Sequence, residues 1–259
     1  MGDFLDVLAR DAKKAIKSGY YNISVSVPRT PVSLKNAIIQ SKTIPIIAEI
    51  KLASPSLGVI RKNADVEKIA SAMERGGSVG ISILTEQRHF KGSLASFVKI
   101  RKCIGLPLLM KDIILSPIQL LAAYKIGANA VLLIETLFKR QYCDCNLYTM
   151  IAYAHSMGLE VLLETHNERE FSLAHNSETD LIGINNRDLK TMKVDINVSK
   201  KILQRIRPKG KIVISESGIE NAADIHSLHK YGVDAFLVGT AIMTATNIEE
   251  KVQELTHAI

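Results

Sequence analysis

Short, almost wholly apolar runs recur along the chain, separated by stretches that mix charged and apolar residues. Eight stand out: "PIIAEIK" (45–51), "VGISILT" (79–85), "LPLLMKD" (106–112), "NAVLLIE" (129–135), "LEVLLET" (159–165), "DLIGINN" (180–186), "KIVISES" (211–217) and "DAFLVGT" (234–240). Strands covered on both faces have this pattern, as in a parallel sheet flanked by helices, whereas half-exposed strands alternate. The runs start roughly 20 to 35 residues apart, the length of a strand plus a crossover helix. The stretches between them carry helix punctuation. Ser116-Pro117 reads as an N-cap followed by a proline at the first helical position, and Gly127, Gly158 and Gly232 as glycines that end helices. "YKIGANAVLLI" (124–134) and "HKYGVDAFLVG" (229–239) look alike, as two copies of one αβ unit would. No linker or low-complexity stretch breaks the series. The pattern predicts an α/β fold, a (β/α)8 TIM barrel, with a doubly wound open sheet as the competing arrangement. Residues 1–44 predict an N-terminal helical extension with helices near 3–18 and 32–41. The expectation is one domain over 1–259, with the barrel at 45–259.

Polar residues interrupt the runs mostly where they end. In the first, Glu49 and Lys51 sit among apolar neighbours. Side chains at i and i+2 of a strand share a face, so a carboxylate and an ammonium are aimed at one place. Buried charges are rare unless paired or used. Lys111 and Asp112 end the third run; Glu164, followed by Thr165 and His166, ends the fifth. Asn185, Asn186 and Arg187 end the sixth, Glu216, Ser217 and Gly218 the seventh, and Gly239 and Thr240 the eighth. One polar strand end is what contact with water produces. Six of eight, with the second and fourth runs apolar nearly to their ends, put a charge cluster at the C-terminal mouth, where such barrels hold their active sites. Clustered lysines and glutamates shift one another's pKa values and suit proton transfer. A partly desolvated lysine beside another cation is expected to have its pKa lowered into the range of a general acid. "SESGI" (215–219) and "LVGTAIM" (237–243) each place a glycine after a strand, where backbone N–H groups can cradle a phosphate.

Composition narrows the classes. Hydrophobic residues make up 47% of 259 positions and charged residues 23%, which suits a packed core and argues against disorder. A formal charge of +7 favours anionic ligands. The absence of long Lys/Arg runs and the few aromatics argue against a nucleic-acid surface. Three cysteines without a CxxC predict no disulfide framework and no zinc site, and no apolar stretch reaches membrane-span length. The mixed charges of the first twenty residues read as a helix and not a signal peptide, so a cytoplasmic location is expected. His226 and His229 lack a third ligand for a metal, Cys143 and Cys145 read as structural thiols in the helical region after the fourth run, and no GxGxxG or P-loop is present.

Seven segments, "IIAEIKLASPSLG", "ISILTEQRHFKGS", "PLLMKDIILSPIQL", "IGANAVLLI", "IGINNRDLKTMKVD", "VISESGI" and "FLVGTAIM", resemble in order the indole-3-glycerol phosphate synthase family, over residues 46 to 243. The resemblance implies a cofactor-free reaction of tryptophan biosynthesis. It converts 1-(2-carboxyphenylamino)-1-deoxyribulose 5-phosphate to indole-3-glycerol phosphate, carbon dioxide and water. It implies that Lys111 protonates the substrate carbonyl, that Lys51 holds the substrate carboxylate and serves in the dehydration, and that Glu164 is the base for the last proton. Glu49 would orient the site and Asn185 would hydrogen-bond the substrate, with Glu216 and Ser217 extending that network. Arg187 would order the mouth through charge pairs, and Ser54 would anchor the first loop or touch the phosphate. Gly218, Gly239 and Thr240 would cradle the phosphate, and Phe90 would be an apolar wall for the ring. The Ser-Pro-Ser loop (54–56) and residues 86–93 are the expected lids. Leu52 and Leu57 stand where many relatives are basic, and Ile113 where an aromatic is usual. The rival chemistry on this fold is a Schiff-base aldolase, which needs a neutral, nucleophilic lysine. A neighbouring isomerase would need a Cys–Asp pair at strand ends, and no cysteine ends a strand. A degenerate barrel that only binds phosphate or nucleic acid would not need the lysine–glutamate set.

Overall fold

The structure is a computed structural model that describes residues 2–28, 30–62, 64–208 and 210–259. Eight parallel strands close on themselves: β1 (Ile46–Ile50), β2 (Gly80–Leu84), β3 (Leu108–Lys111), β4 (Ala130–Ile134), β5 (Glu160–Thr165), β6 (Leu181–Asn185), β7 (Ile212–Glu216) and β8 (Ala235–Val238). Closure is direct, because Ile47 of β1 is in register with Gly80 of β2 on one side and Leu237 of β8 on the other. The expected (β/α)8 barrel is present, and each strand is followed by at least one helix. Each strand falls within its apolar run, one or more residues shorter.

Alternation along each strand sorts the side chains into two cores. Ile46, Ala48 and Ile50 join the layer between strands and helices, with Phe97, Phe171 and Phe236. Ile47, Leu109, Leu132, Leu162, Leu181, Ile214 and Leu237 fill the barrel interior. Two residues further along the same inward-facing rows stand Glu49, Lys111, Glu164, Glu216 and, four from Leu181, Asn185. The period of two that fills the centre with aliphatic residues therefore delivers the charged ones to the mouth.

The extension supplies both covers. Helix Phe4–Lys17 places Leu5 and Leu8 in the interior core at the mouth. Helix Leu34–Ile39 sits at the opposite end, its N-terminus capped by the Glu160 carboxylate at the start of β5, which accepts from the Leu34 N–H (2.7 Å) and the Lys35 N–H (3.2 Å). Arg140 holds the first helix by its cap, donating to Asp3 (2.6 Å) and Asp6 (2.7 Å). Tyr20 donates to the Thr85 carbonyl (3.0 Å), and Tyr21 to the buried Asp112 carboxylate (3.0 Å).

The punctuation behaves as expected at Gly127, Gly158 and Gly232, whose φ values of 82°, 68° and 94° are the left-handed conformation that ends helices. A short hairpin, Ala53–Ser54 against Gly58–Val59, was not foreseen; it forms the loop after β1. Cys143 and Cys145 lie in the turn between helices Glu135–Lys139 and Leu147–Ser156 instead of on a helix, and both are free. Among the described residues no helix is long and apolar enough to cross a membrane.

Candidate active site

A cavity of about 390 Å³ opens at the C-terminal mouth of the barrel. Every residue given a catalytic, substrate-binding or phosphate-binding role from the sequence lines it except Glu216, whose side chain is fully buried; Thr165, His166 and Asn186, also noted at strand ends, do not. Phe4, Leu5 and Leu8 of the first helix line it too, and sequence reasoning missed them. The available signal was the stripe Phe4, Leu5, Leu8, Ala9, Ala12, an apolar face on an otherwise charged helix.

The charged centre is compact. Lys51 Nζ lies 2.9 Å from Glu49 Oε1. Lys111 Nζ lies 2.5 Å from Glu216 Oε2, 3.6 Å from Glu49 Oε2 and 3.7 Å from Glu164 Oε2. Burial opposes the charge on Glu49, but Lys51 and Lys111 outweigh it and hold that carboxyl below its ordinary range. Burial likewise opposes the charge on Lys111, and the three carboxylates overcome it, so its pKa is raised. This corrects the expectation of a lysine lowered toward neutrality. Lys51 shares Glu49 with Lys111, but three carboxylates stand close to Lys111 and decide the sign. Glu216 goes the other way. Burial, with the charges of Glu164 and Glu49, pushes it up to about 7 against the pull of Lys111. Burial also raises Asp112, to about 6, despite hydrogen bonds from Thr85 Oγ1 (2.5 Å), Tyr21 and the Ile113 N–H (2.7 Å).

Glu164 is nearly sealed from solvent, yet His166 and Lys111 hold it ionised against burial, with help from Asn185. Asn185 Oδ1 accepts from the Arg187 N–H (3.0 Å), which ties the end of β6 to the loop that follows. No ion pair within 4 Å forms at Arg187 among the described residues, although the charge of Glu49 reaches it. Its Nη1 donates to the Met192 carbonyl (3.0 Å), so the half-buried guanidinium also folds its own loop.

Ser54 is buried and accepts from the Leu57 N–H (3.2 Å), so it anchors the hairpin after β1. The 86–93 segment is tied down. The Glu86 carboxylate accepts from the N–H groups of Arg88 (2.9 Å), His89 (2.7 Å) and Phe90 (3.0 Å), and His89 Nε2 reaches Asp11 of the first helix at 2.9 Å. Phe90 and Ile113 contribute to the apolar part of the lining. On the opposite side, Ser217 and Gly218 adopt consecutive left-handed conformations (φ 67° and 83°). Ser217 is a non-glycine residue there, a costly geometry found at sites where backbone groups are being aimed. Gly239 precedes the short helix Thr240–Thr244 and abuts Glu49; a Cβ on it would come within 2.5 Å of Glu49 Oε1. The last two strand ends therefore frame one end of the cavity with backbone, while the lysines and glutamates occupy its floor.

The chain has extensive relatives. The family model for indole-3-glycerol phosphate synthase matches residues 6–255. The indole-3-glycerol phosphate synthase of Dehalococcoides mccartyi strain CBDB1 is 39% identical over 234 residues, which are 89% of this chain and 88% of that protein. That of Methanocaldococcus jannaschii is 40% identical over 250 residues, 95% of this chain and 91% of its own. Among solved structures, a thiamine phosphate pyrophosphorylase from Pyrococcus furiosus superposes with a TM-score of 0.60 at 17% identity, covering 87% of this chain and 97% of that one; the likeness shows the barrel fold alone. Barrel, mouth cluster and sequence kinship agree, and the chain belongs to the indole-3-glycerol phosphate synthase family.

Proposed function

We propose that the chain closes the indole ring of 1-(2-carboxyphenylamino)-1-deoxyribulose 5-phosphate, releasing carbon dioxide and water, as a step of tryptophan biosynthesis. The observation that carries this reading is the Lys111 ammonium facing Glu216, Glu49 and Glu164 at 2.5, 3.6 and 3.7 Å on the floor of a half-apolar cavity. Three carboxylates keep Lys111 charged, so its proton is in place when negative charge develops on the substrate carbonyl oxygen. Lys111 donates that proton as the ring carbon bonds to the carbonyl carbon, and the carboxyl group then leaves as carbon dioxide. Lys51 holds the carboxylate beforehand and protonates the hydroxyl that departs as water. Glu164, held ionised, removes the last proton and completes the aromatic ring. Asn185 orients the anthranilate amine, Phe90 and Ile113 enclose the aromatic ring, and Gly218, Gly239 and Thr240 cradle the phosphate, with Ser54 holding the hairpin beside it. Leu52 and Leu57 leave the hairpin without basic side chains, so the phosphate relies more on backbone N–H groups.

The Schiff-base alternative fits less well. Its lysine must be a neutral amine, and the carboxylates around Lys111 favour the ammonium. A cytoplasmic setting suits three free cysteines. The test is to mix the purified protein with the carboxyphenylamino sugar phosphate and follow indole fluorescence. A rise that vanishes in Lys111→Ala is expected, while the variant keeps its folded spectrum. A flat trace from the unaltered protein, with a borohydride-trapped ketose phosphate on Lys51 or Lys111, would replace this reading by the aldolase one.

A further inference from the structure

We propose that His166 is the positioning residue of the Glu164 base: its imidazole, wedged between Glu164 and Glu170, keeps Glu164 ionised and turns one of its oxygens toward the cavity. The inference rests on the reading above, in which Glu164 takes the last proton. His166 follows directly on β5 and is absent from the cavity lining, so it touches no substrate and acts through its neighbour.

The geometry assigns the two Glu164 oxygens to different tasks. Oε1 lies 3.3 Å from His166 Nε2, and Oε2 lies 3.7 Å from Lys111 Nζ. On its far side His166 Nδ1 lies 3.4 Å from Glu170 Oε2. Glu170 is fixed in turn, accepting from the His166 backbone N–H (2.9 Å) and from Thr136 Oγ1 (3.2 Å). Both ring nitrogens thus face carboxylates at ion-pair distance, an arrangement that suits the doubly protonated ring. Burial alone would hold His166 neutral, but Glu164 and Glu170 push it up to about 10.

The charge matters because of what surrounds Glu164. Lys111 faces it from β3, but Glu216 and Glu49 compete for the same ammonium. Asn185 of β6 adds only a neutral dipole. Glu135, on helix Glu135–Lys139, adds a further carboxyl within reach of the Glu170–His166 charges. Without the imidazolium, Glu164 would share one ammonium with two other buried carboxylates, and its protonated form would gain. A protonated Glu164 cannot accept the last proton.

The test pairs His166→Gln with Glu170→Gln, measuring kcat and KM for indole formation between about pH 5 and 9. In His166→Gln an acid limb of kcat should rise by several pH units into this range, where the parent is flat with respect to Glu164, giving a loss of about tenfold or more near pH 6 that shrinks near pH 8, with KM changed by less than about threefold. Glu170→Gln should shift the limb in the same direction by less. Nitrogen-15 NMR of the substrate-free protein provides a readout independent of catalysis: the resonances lost in His166→Gln should report a doubly protonated ring at about pH 8. An unmoved acid limb, or a ring neutral at about pH 7, would overturn the proposal. If His166→Gln does not fold, Glu170→Gln and the NMR titration decide it. No indole from the unaltered protein would overturn the functional reading and the role of Glu164 with it, while the NMR titration would still reveal the charge state of the triad.

Discussion

Glu216→Gln should make the protein more stable at mildly alkaline pH and less active. Glu216 is fully buried, and its carboxyl is pushed from 4.5 to about 7, first by burial and then by Glu164 and Glu49. Below the ordinary glutamate range both folded and unfolded chains carry its proton, and it contributes no pH dependence. As pH rises from there to about 7, the unfolded chain gives up the proton while the fold retains it, so stability falls. Above about 7 the fold carries the full penalty, about 3 kcal/mol at 1.36 kcal/mol per unit. Glutamine removes that penalty, keeps the shape and can still accept from Lys111. It introduces one new cost. Glu216 Oε1 has no hydrogen-bond partner and packs against Gly183, so an amide NH2 placed there is an unsatisfied donor worth about 1–2 kcal/mol. The variant should therefore be about 1–2 kcal/mol less stable than its parent near pH 4.5 and about 1–2 kcal/mol more stable near pH 8. Urea titrations at both pH values measure this, and indole formation at pH 8 should fall as Lys111 loses its nearest counter-charge. A stability difference that is the same at both pH values would refute the reasoning.

Two other perturbations probe the frame of the site. Tyr21→Phe removes one donor from the buried Asp112 carboxylate and leaves Thr85 and the Ile113 N–H. It should cost about 1–2 kcal/mol near pH 8 and less near pH 5, where Asp112, raised to about 6, is mostly protonated; equal losses in urea at both pH values would reduce Tyr21 to packing. Gly239→Ala places a Cβ within 2.5 Å of Glu49 Oε1, although its φ of −113° is open to any residue, so the effect is steric. Displacing Glu49 from Lys51 should lower kcat/KM by about 100-fold in steady-state assays, and an unchanged value would mean that Glu49 yields freely.

The barrel was legible because its inner and outer faces are both apolar, so strands buried on two sides advertise themselves as uninterrupted runs. Glu49 and Lys51 were legible as a pair because a strand puts i and i+2 on one face, and they meet at 2.9 Å. What escaped is contact between segments remote in sequence. Nothing local joins Tyr21 to Asp112, 91 residues away, or Arg140 to Asp3, 137 away. The sign of the Lys111 shift was misjudged for the same reason. The strand ends named its neighbours, but the answer turns on which of them come closest, and that is set by stagger around the barrel. His166 was visible as the residue after Thr165, yet its place between Glu164 and Glu170 depends on where helix Glu168–His175 turns back.

The anchors of the first helix also bear on the order in which the molecule is made. Phe4–Lys17 is synthesised well before Arg140, the residue that grips its cap, so it waits through nearly half of the chain for that partner. β1 waits longer still, for β8, before the ring of strands can shut. Such long-range pairings are slow to form and leave apolar surface uncovered meanwhile. The Leu5–Leu8 face and the inner face of β1 are then the parts of a nascent chain most in need of protection, and aggregation during expression should respond first to substitutions there.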